Sequence, residues 1–136
     1  MTERLELYKC NVCGNVVEVV LEGAGELVCC GQPMNKMQAQ TKNEEMLQEK
    51  HVPILKMLDD GIEVRVGSIP HSMIDEHYIQ FIEAFSTDKK YVKRKYLSPN
   101  EEPVLKLKCN CTDTIARELC NIHGLWISND RSDGND

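Results

Sequence analysis

Hydrophobic and polar positions change their rhythm near residue 50. Before that point apolar residues come in short clumps. Val16-Val17-Glu18-Val19-Val20-Leu21 is short and β-branched, which predicts a strand. Glu22-Gly23-Ala24-Gly25-Glu26 supplies a turn, and Leu27-Val28 leads back as the other arm of a hairpin. Residues 38–48 are polar and charged, a connecting segment. Within them Thr41-x-x-Glu44 has the form of a capping box, predicting a short helix through Glu45, Met46 and Leu47. Pro53 stops that helix and biases Val52 towards an extended backbone. Beyond it Ile54-Leu55-Lys56-Met57-Leu58, Asp59-Asp60-Gly61 and Ile62-Glu63-Val64-Arg65-Val66-Gly67 predict a hairpin with Ile62, Val64 and Val66 on one face. Residues 78–85, 91–97, 104–109 and 115–120 are further strand candidates with polar turns between them. Short strands at this spacing, without intervening helices, predict an antiparallel sandwich. The polar tail 129–136 is expected to fray.

Composition narrows the picture. A chain of 136 residues makes one domain, or a very small one followed by one of ordinary size. Apolar residues make up 41% and aromatics only 5%, so the core must be mainly Val, Ile and Leu. A net charge of −6 argues against a nucleic-acid backbone or an anionic membrane as partner. No apolar run approaches the ~18 residues of a membrane span, and Met1-Thr2-Glu3-Arg4 opens no signal segment. The expectation is a soluble cytoplasmic protein. In that compartment seven cysteines, an odd number, read as metal ligands or reduced core thiols rather than disulfides.

Two groups of residues carry candidate chemistry. Cys10-Asn11-Val12-Cys13 points two sulfurs at one metal, and the expected hairpin returns Cys29-Cys30 to them. Four thiolates suit tetrahedral zinc or iron, and spacing alone ranks zinc slightly ahead. Adjacent cysteines reach one ion only if the backbone there is distorted; a vicinal disulfide is the competing reading. Near the C-terminus, Cys120-Asn121-Ile122-His123-Gly124-Leu125-Trp126 places a thiol and an imidazole three apart. A glycine there permits a tight turn, and the chain's only tryptophan can cover one side. The four histidines, His51, His71, His77 and His123, all flank turns at strand ends. Taken singly, each is an ordinary surface or core residue; together with Cys120 they predict one metal site.

These motifs resemble a known family. Tyr8-Lys9-Cys10-x-x-Cys13-Gly14 with Gly25-Glu26-Leu27-x-Cys29-Cys30-Gly31-x-x-Met34 is similar to the desulforedoxin module, adjacent cysteines included. Three further stretches resemble the superoxide reductase signature: Glu49-Lys50-His51-Val52-Pro53, Gly67-Ser68-x-x-His71-x-Met73-x-x-x-His77-Tyr78-Ile79 and Cys120-Asn121-x-His123-Gly124-Leu125-Trp126. In order, over nearly the whole chain, they match the desulfoferrodoxin family. The resemblance implies a mainly β protein: residues 1–37 as a desulforedoxin-like four-cysteine iron domain, and 38–136 as an immunoglobulin-like antiparallel β-sandwich with a polar tail.

It also implies iron over zinc, two ions per chain. Cys10, Cys13, Cys29 and Cys30 would bind the first. His51, His71, His77 and His123 would surround the second, with Cys120 as its axial ligand. The activity implied is one-electron reduction of superoxide to hydrogen peroxide, with electrons from an external donor such as a rubredoxin, in a homodimer. Glu49 would approach the sixth position in the oxidised state, and Lys50 would stand beside the open face. In an acidic protein a lysine there would raise the encounter rate with an anion; otherwise Glu49 and Lys50 are a solvated pair worth about 0–1 kcal/mol. The rival classes are a structural zinc module used for protein interaction and an electron carrier with an inert second iron. Ser72 stands where the family has proline, which predicts a less rigid His71 loop. Cys109 and Cys111 have no ligand role in the family pattern and read as core thiols.

Overall fold

The computed structural model describes residues 1–41, 48–68, 70–108 and 113–128, at 48 and 49 through the backbone alone. The chain divides into two compact units, Met1–Gln38 and Ala39–Asp136. The 109–112 segment with its two cysteines, the tail from 129 and the helix expected over 45–47 lie outside the described residues.

In the first unit β1 (Leu7–Lys9) is central, with β2 (Val16–Glu18) antiparallel on one side and β5 (Asn35–Lys36) on the other. Between them β3 (Val28–Cys29) and β4 (Gln32–Pro33) form a separate two-stranded ribbon. The hairpin expected between 16–21 and 27–28 therefore does not form. Val19 is already committed to the first strand: its N–H donates to the Glu6 carbonyl at 2.9 Å, and its carbonyl accepts from Leu5 N–H at 2.8 Å. The turn at Cys10 draws β2 back onto β1, which leaves Val28 to pair locally across Cys30-Gly31. Leu5, Leu7, Val19 and Cys10 are buried, while Val20 and Leu21 are exposed. So small a core needs a cross-link or a metal to hold it.

The second unit is the expected antiparallel sandwich of immunoglobulin-like type. One sheet has the order β10-β7-β6, from β6 (Pro53–Leu58), β7 (Gly61–Val66) and β10 (Val104–Lys108). The other has the order β12-β11-β8-β9, from β8 (Ile79–Ser86), β9 (Val92–Tyr96), β11 (Thr114–Cys120) and β12 (Gly124–Ile127). A single helical turn, α1 (Gln48–His51), precedes β6. The predicted face of Ile62, Val64 and Val66 is buried against Ile82, Ala84 and Ala116 of the other sheet. Strand β12 was not expected; four residues beginning with glycine are too few to show alternation. It pairs with β11 as Leu119 with Leu125 and Cys120 with Gly124. Gly61 has no room for a side chain, since a Cβ there would lie 1.8 Å from the Leu107 carbonyl oxygen. Among the described residues no helix is long and apolar enough to cross a membrane.

Glu83 alternates with the core residues Ile82 and Ala84, so it faces away from the inter-sheet core, yet it is wholly buried. Two guanidinium groups cover it. Arg117 donates to Oε1 from Nε at 3.1 Å and Nη2 at 2.6 Å; Arg94 donates to Oε2 at 3.0 and 2.6 Å. Arg117 also lies over the Phe85 ring, 4.9 Å from its centroid. Fork-to-carboxylate pairing of this kind ties β8, β9 and β11 together. Glu83→Gln removes the charge that both arginines face, and breaking a buried pair costs roughly 3–5 kcal/mol. Urea denaturation should show a loss of that order, whereas a loss within about 1 kcal/mol would mean that the pair is not fully desolvated.

Candidate metal centres

In the first unit, β1 ends into a tight turn in which Gly14 N–H donates to the Cys10 carbonyl at 2.9 Å. The turn aims the Val12 and Cys13 N–H groups at Cys10 Sγ, each at 3.4 Å. Those backbone donors pull the Cys10 thiol down to about 6. Cys13 Sγ lies 3.6 Å from Cys29 Sγ, and Asn15 Nδ2 donates to Cys29 Sγ at 3.8 Å. The distortion required of adjacent cysteines is present: Cys30 has φ +55° and is followed by Gly31 at +75°. This left-handed step swings the second thiol to the same side as the first. Their sulfurs stand 3.9 Å apart, so they are not joined as a vicinal disulfide. All four sulfurs lie within 4.8 Å of one another. Hydrogen bonding to Cys13 and its other neighbours pushes Cys30 up to about 12 and Cys29 upwards as well. Thiols this crowded cannot all ionise unless a cation sits among them, so the donor set fits a thiophilic metal.

The second centre gathers residues from three parts of the sandwich. His51 ends α1, His71 and His77 lie on the β7–β8 loop, Cys120 ends β11, and His123 lies in the turn to β12. One ligand atom from each falls within 4.8 Å of all the others. The four rings follow one another round a circuit: His51 to His71 is 4.5 Å between centroids, His71 to His77 4.7 Å, His77 to His123 5.0 Å, and His123 back to His51 4.8 Å. Across the circuit His51 and His77 are 6.5 Å apart. Neighbouring rings meet edge to face, so their nitrogens point at a common middle. Cys120, part of the hydrophobic core, closes the circuit from the interior.

The local chemistry suits a cation. The His71 Nδ1–H donates to the Ser72 carbonyl at 2.6 Å, which leaves Nε2 as the free lone pair, 3.0 Å from His51 Nε2. His77 Nε2 is buried without a hydrogen-bond partner, a state that costs stability unless something accepts its lone pair. Burial holds His71 down to about 4, and burial together with the charges of His123 and Lys50 lowers His77. Both are therefore neutral, as ligands must be. Burial pushes the Cys120 thiol up, while N–H groups of the following turn oppose it; the His123 N–H lies 3.4 Å from the sulfur. Trp126 stacks on His51 at 4.9 Å and 23°, the cover expected of it.

The nine candidate ligands thus fall into two tight groups. Lys50 is exposed on α1, close enough for its charge to act on His77; the side chain of Glu49 lies outside the described residues. The loop that carries Ser72 has backbone hydrogen bonds of its own. Ile74 and His77 exchange backbone hydrogen bonds at 3.1 and 3.0 Å, and the Met73 carbonyl accepts from Asn100 N–H at 2.7 Å. Asn121 follows the Cys120 ligand directly, and its role shows only in the fold. Its carboxamide straddles His77, accepting from Tyr78 N–H at 2.9 Å and donating to the Glu76 carbonyl at 3.1 Å.

Residues 2–37 match the family model "Desulfoferrodoxin, N-terminal domain" and residues 43–129 match "Desulfoferrodoxin". The chain belongs to the desulfoferrodoxin family. It is 48% identical over 128 residues to the desulfoferrodoxin of Syntrophotalea carbinolica, covering 94% of this chain and 98% of that protein. Its fold is similar to the superoxide reductase from Treponema pallidum, with a TM-score of 0.69, 23% identity, and 93% and 99% of the two chains covered. The 1Fe superoxide reductase from Giardia intestinalis matches with a TM-score of 0.51 and 27% identity, over 59% of this chain and 95% of that one. The cofactors are two irons per chain, one of four-cysteine and one of four-histidine, one-cysteine type. The slight preference for zinc drawn from spacing alone gives way: tetrahedral thiolate sites look alike for both metals.

Losing Asn121's two bonds should free His77 from the turn that carries Cys120 and His123. Asn121→Ala is expected to weaken iron binding at the five-donor centre on the order of 10–100-fold, as outer-shell losses do. Chelator titration reads this, with the four-cysteine iron as internal reference. Equal retention in both proteins would show that Asn121 does not hold the site.

Proposed function

We propose that the chain is a superoxide reductase whose five-donor centre does the chemistry while its four-cysteine centre is coordinatively closed. The observation that carries this is the circuit of four imidazoles with a buried thiol behind it. The five residues would hold one iron with fewer protein donors than a six-coordinate ion takes, which would leave room for a small anion. A ferrous ion held in this way supplies the single electron that, with two protons from solvent, turns superoxide into hydrogen peroxide.

The residue assignments follow. Cys10, Cys13, Cys29 and Cys30 hold the first iron; His51, His71, His77, His123 and Cys120 hold the second. Neutral imidazoles add no negative charge, so the centre keeps the positive potential that draws an anion. Cys120 would hold the iron through its thiolate and strengthen electron donation to it, and the N–H groups of the following turn, His123 N–H among them at 3.4 Å from the sulfur, would temper that donation. Lys50 offers positive charge near His77 and can order a water that delivers a proton. Glu49, one residue earlier, would supply a carboxylate ligand in the oxidised state and help product leave. An external one-electron donor of rubredoxin type completes the cycle. The working form is a cytoplasmic homodimer, and residues 1–37 and 38–136 are its two domains.

Metal analysis and a visible spectrum test the reading directly. Two irons per chain with thiolate-to-iron absorption, and rapid oxidation of the reduced protein by superoxide, are expected. A colourless zinc protein, or a reduced second iron that superoxide does not oxidise, would overturn it. Cys120→Ser should abolish superoxide reduction and spare the four-cysteine spectrum; retained activity would mean that another group is the axial donor. Lys50→Ala should slow association with superoxide by up to about tenfold and flatten its salt dependence, with both irons still bound. Stopped-flow measurement at two ionic strengths reads this, and an unchanged rate and slope would remove Lys50 from the mechanism.

A further inference from the structure

Residues 38–48 read as a connection, yet Gln40 is fully engaged with the strand that follows the second centre. Its N–H donates to the Leu125 carbonyl at 2.9 Å, and its carbonyl accepts from Ile127 N–H at 3.0 Å, a parallel bridge opposite Trp126. The side chain goes further. Gln40 Nε2 lies 2.9 Å from the His123 carbonyl oxygen and 3.4 Å from that of Leu125. Two carbonyls around one amide end settle which end it is, since only the NH2 group can donate to both. Trp126 Nε1 donates to the same His123 oxygen at 3.1 Å. Two N–H donors from different segments therefore converge on the carbonyl of a single residue, and that residue carries a ligand.

Gly124 makes this possible. Its φ of +86° suits glycine, and a Cβ there would stand 3.3 Å from Gln40 Nε2. With its carbonyl held from two sides, the His123 backbone has little freedom to rotate. Two features of the centre follow from that backbone: the aim of the ring, whose Nδ1 lies 3.9 Å from Cys120 Sγ, and the His123 N–H directed at the same sulfur. The Trp126 indole that shares the carbonyl also stacks on His51, so one clamp bears on three of the five donors.

We propose that Gln40 is a positioning residue for the five-donor centre: its side-chain amide, with the Trp126 indole, holds the His123 carbonyl and so sets the His123 ring and the N–H that faces the Cys120 sulfur. The inference rests on reading that centre as an iron site. Without the amide the turn relaxes and the N–H···S contact lengthens. The sulfur then donates more strongly to the ion, which favours the oxidised state.

The test uses the full-length, iron-loaded protein with Gln40→Glu and Gln40→Met. Glutamate keeps the length, loses the donor and sets a carboxylate against two carbonyls; methionine keeps the length and is apolar. In both, the thiolate-to-iron absorption of the five-donor centre should shift and its midpoint potential should fall, more for Glu than for Met. The four-cysteine spectrum and potential should stay where they are in the unsubstituted chain. If Gln40→Glu does not fold, Gln40→Met decides alone. Unmoved five-donor absorption and potential would overturn the proposal, with or without a lowered melting temperature, as would equal shifts at both irons. A failure of the iron reading is separate: the unsubstituted protein would then lack the second iron.

Discussion

Two ring nitrogens 3.0 Å apart, with a third buried and unpartnered beside them, form the constraint on which the second unit turns. In a medium of low dielectric such nitrogens must share either a proton or a cation. Burial already keeps His71 and His77 neutral, so the protonated solution is the dearer one. A bound ion satisfies every converging lone pair at once, and folding and metal binding become coupled. Such a convergence of lone pairs marks a site built for something the polypeptide does not itself provide.

The sandwich makes that arrangement stable by placing it at one end of its core. Cys120 is counted among the core residues, and Trp126 is wholly buried against His51. The ligands come from the end of one strand, a tight turn, a long loop and a helical turn, none of which is stiff alone. They are cross-braced instead. Asn121 ties the Cys120 turn to both sides of His77, Gln40 and Trp126 hold the His123 carbonyl, and His71 is held by its own neighbour's carbonyl. The Glu83 cluster does comparable work on the outer face, fastening three strands through one carboxylate.

The first unit solves a related problem with less chain. Its apolar core is a handful of residues, and the four sulfurs lie within 4.8 Å of one another beside it. Turn geometry organises them: backbone N–H groups lower one thiol, and a left-handed residue brings two neighbours to the same side. No position is left open when four sulfurs surround a tetrahedral ion, whereas five donors leave an octahedral ion incomplete. The difference between a closed and a reactive centre is a matter of ligand count.

The sequence by itself determined a great deal here. The period-two face of Ile62, Val64 and Val66, the short strands with polar turns and the spacing of cysteines and histidines led to a mainly β chain with two metal sites, and the resemblance of its motifs to the desulfoferrodoxin family implied iron in both. Such signals are local or lie in short motifs, so they survive in one dimension. Other features were settled only by tertiary structure. Val19 bonds back to the segment leading into β1 rather than forward to β3, because the Cys10 turn lays β2 alongside β1. Strand β12 has too few residues to announce itself and exists because β11 offers it an edge. Gln40 looks like linker, and becomes part of the site only when it meets carbonyls more than eighty positions away. Hydrogen bonds between distant segments leave no periodic trace in the chain, so which residues brace a metal site is decided by the fold.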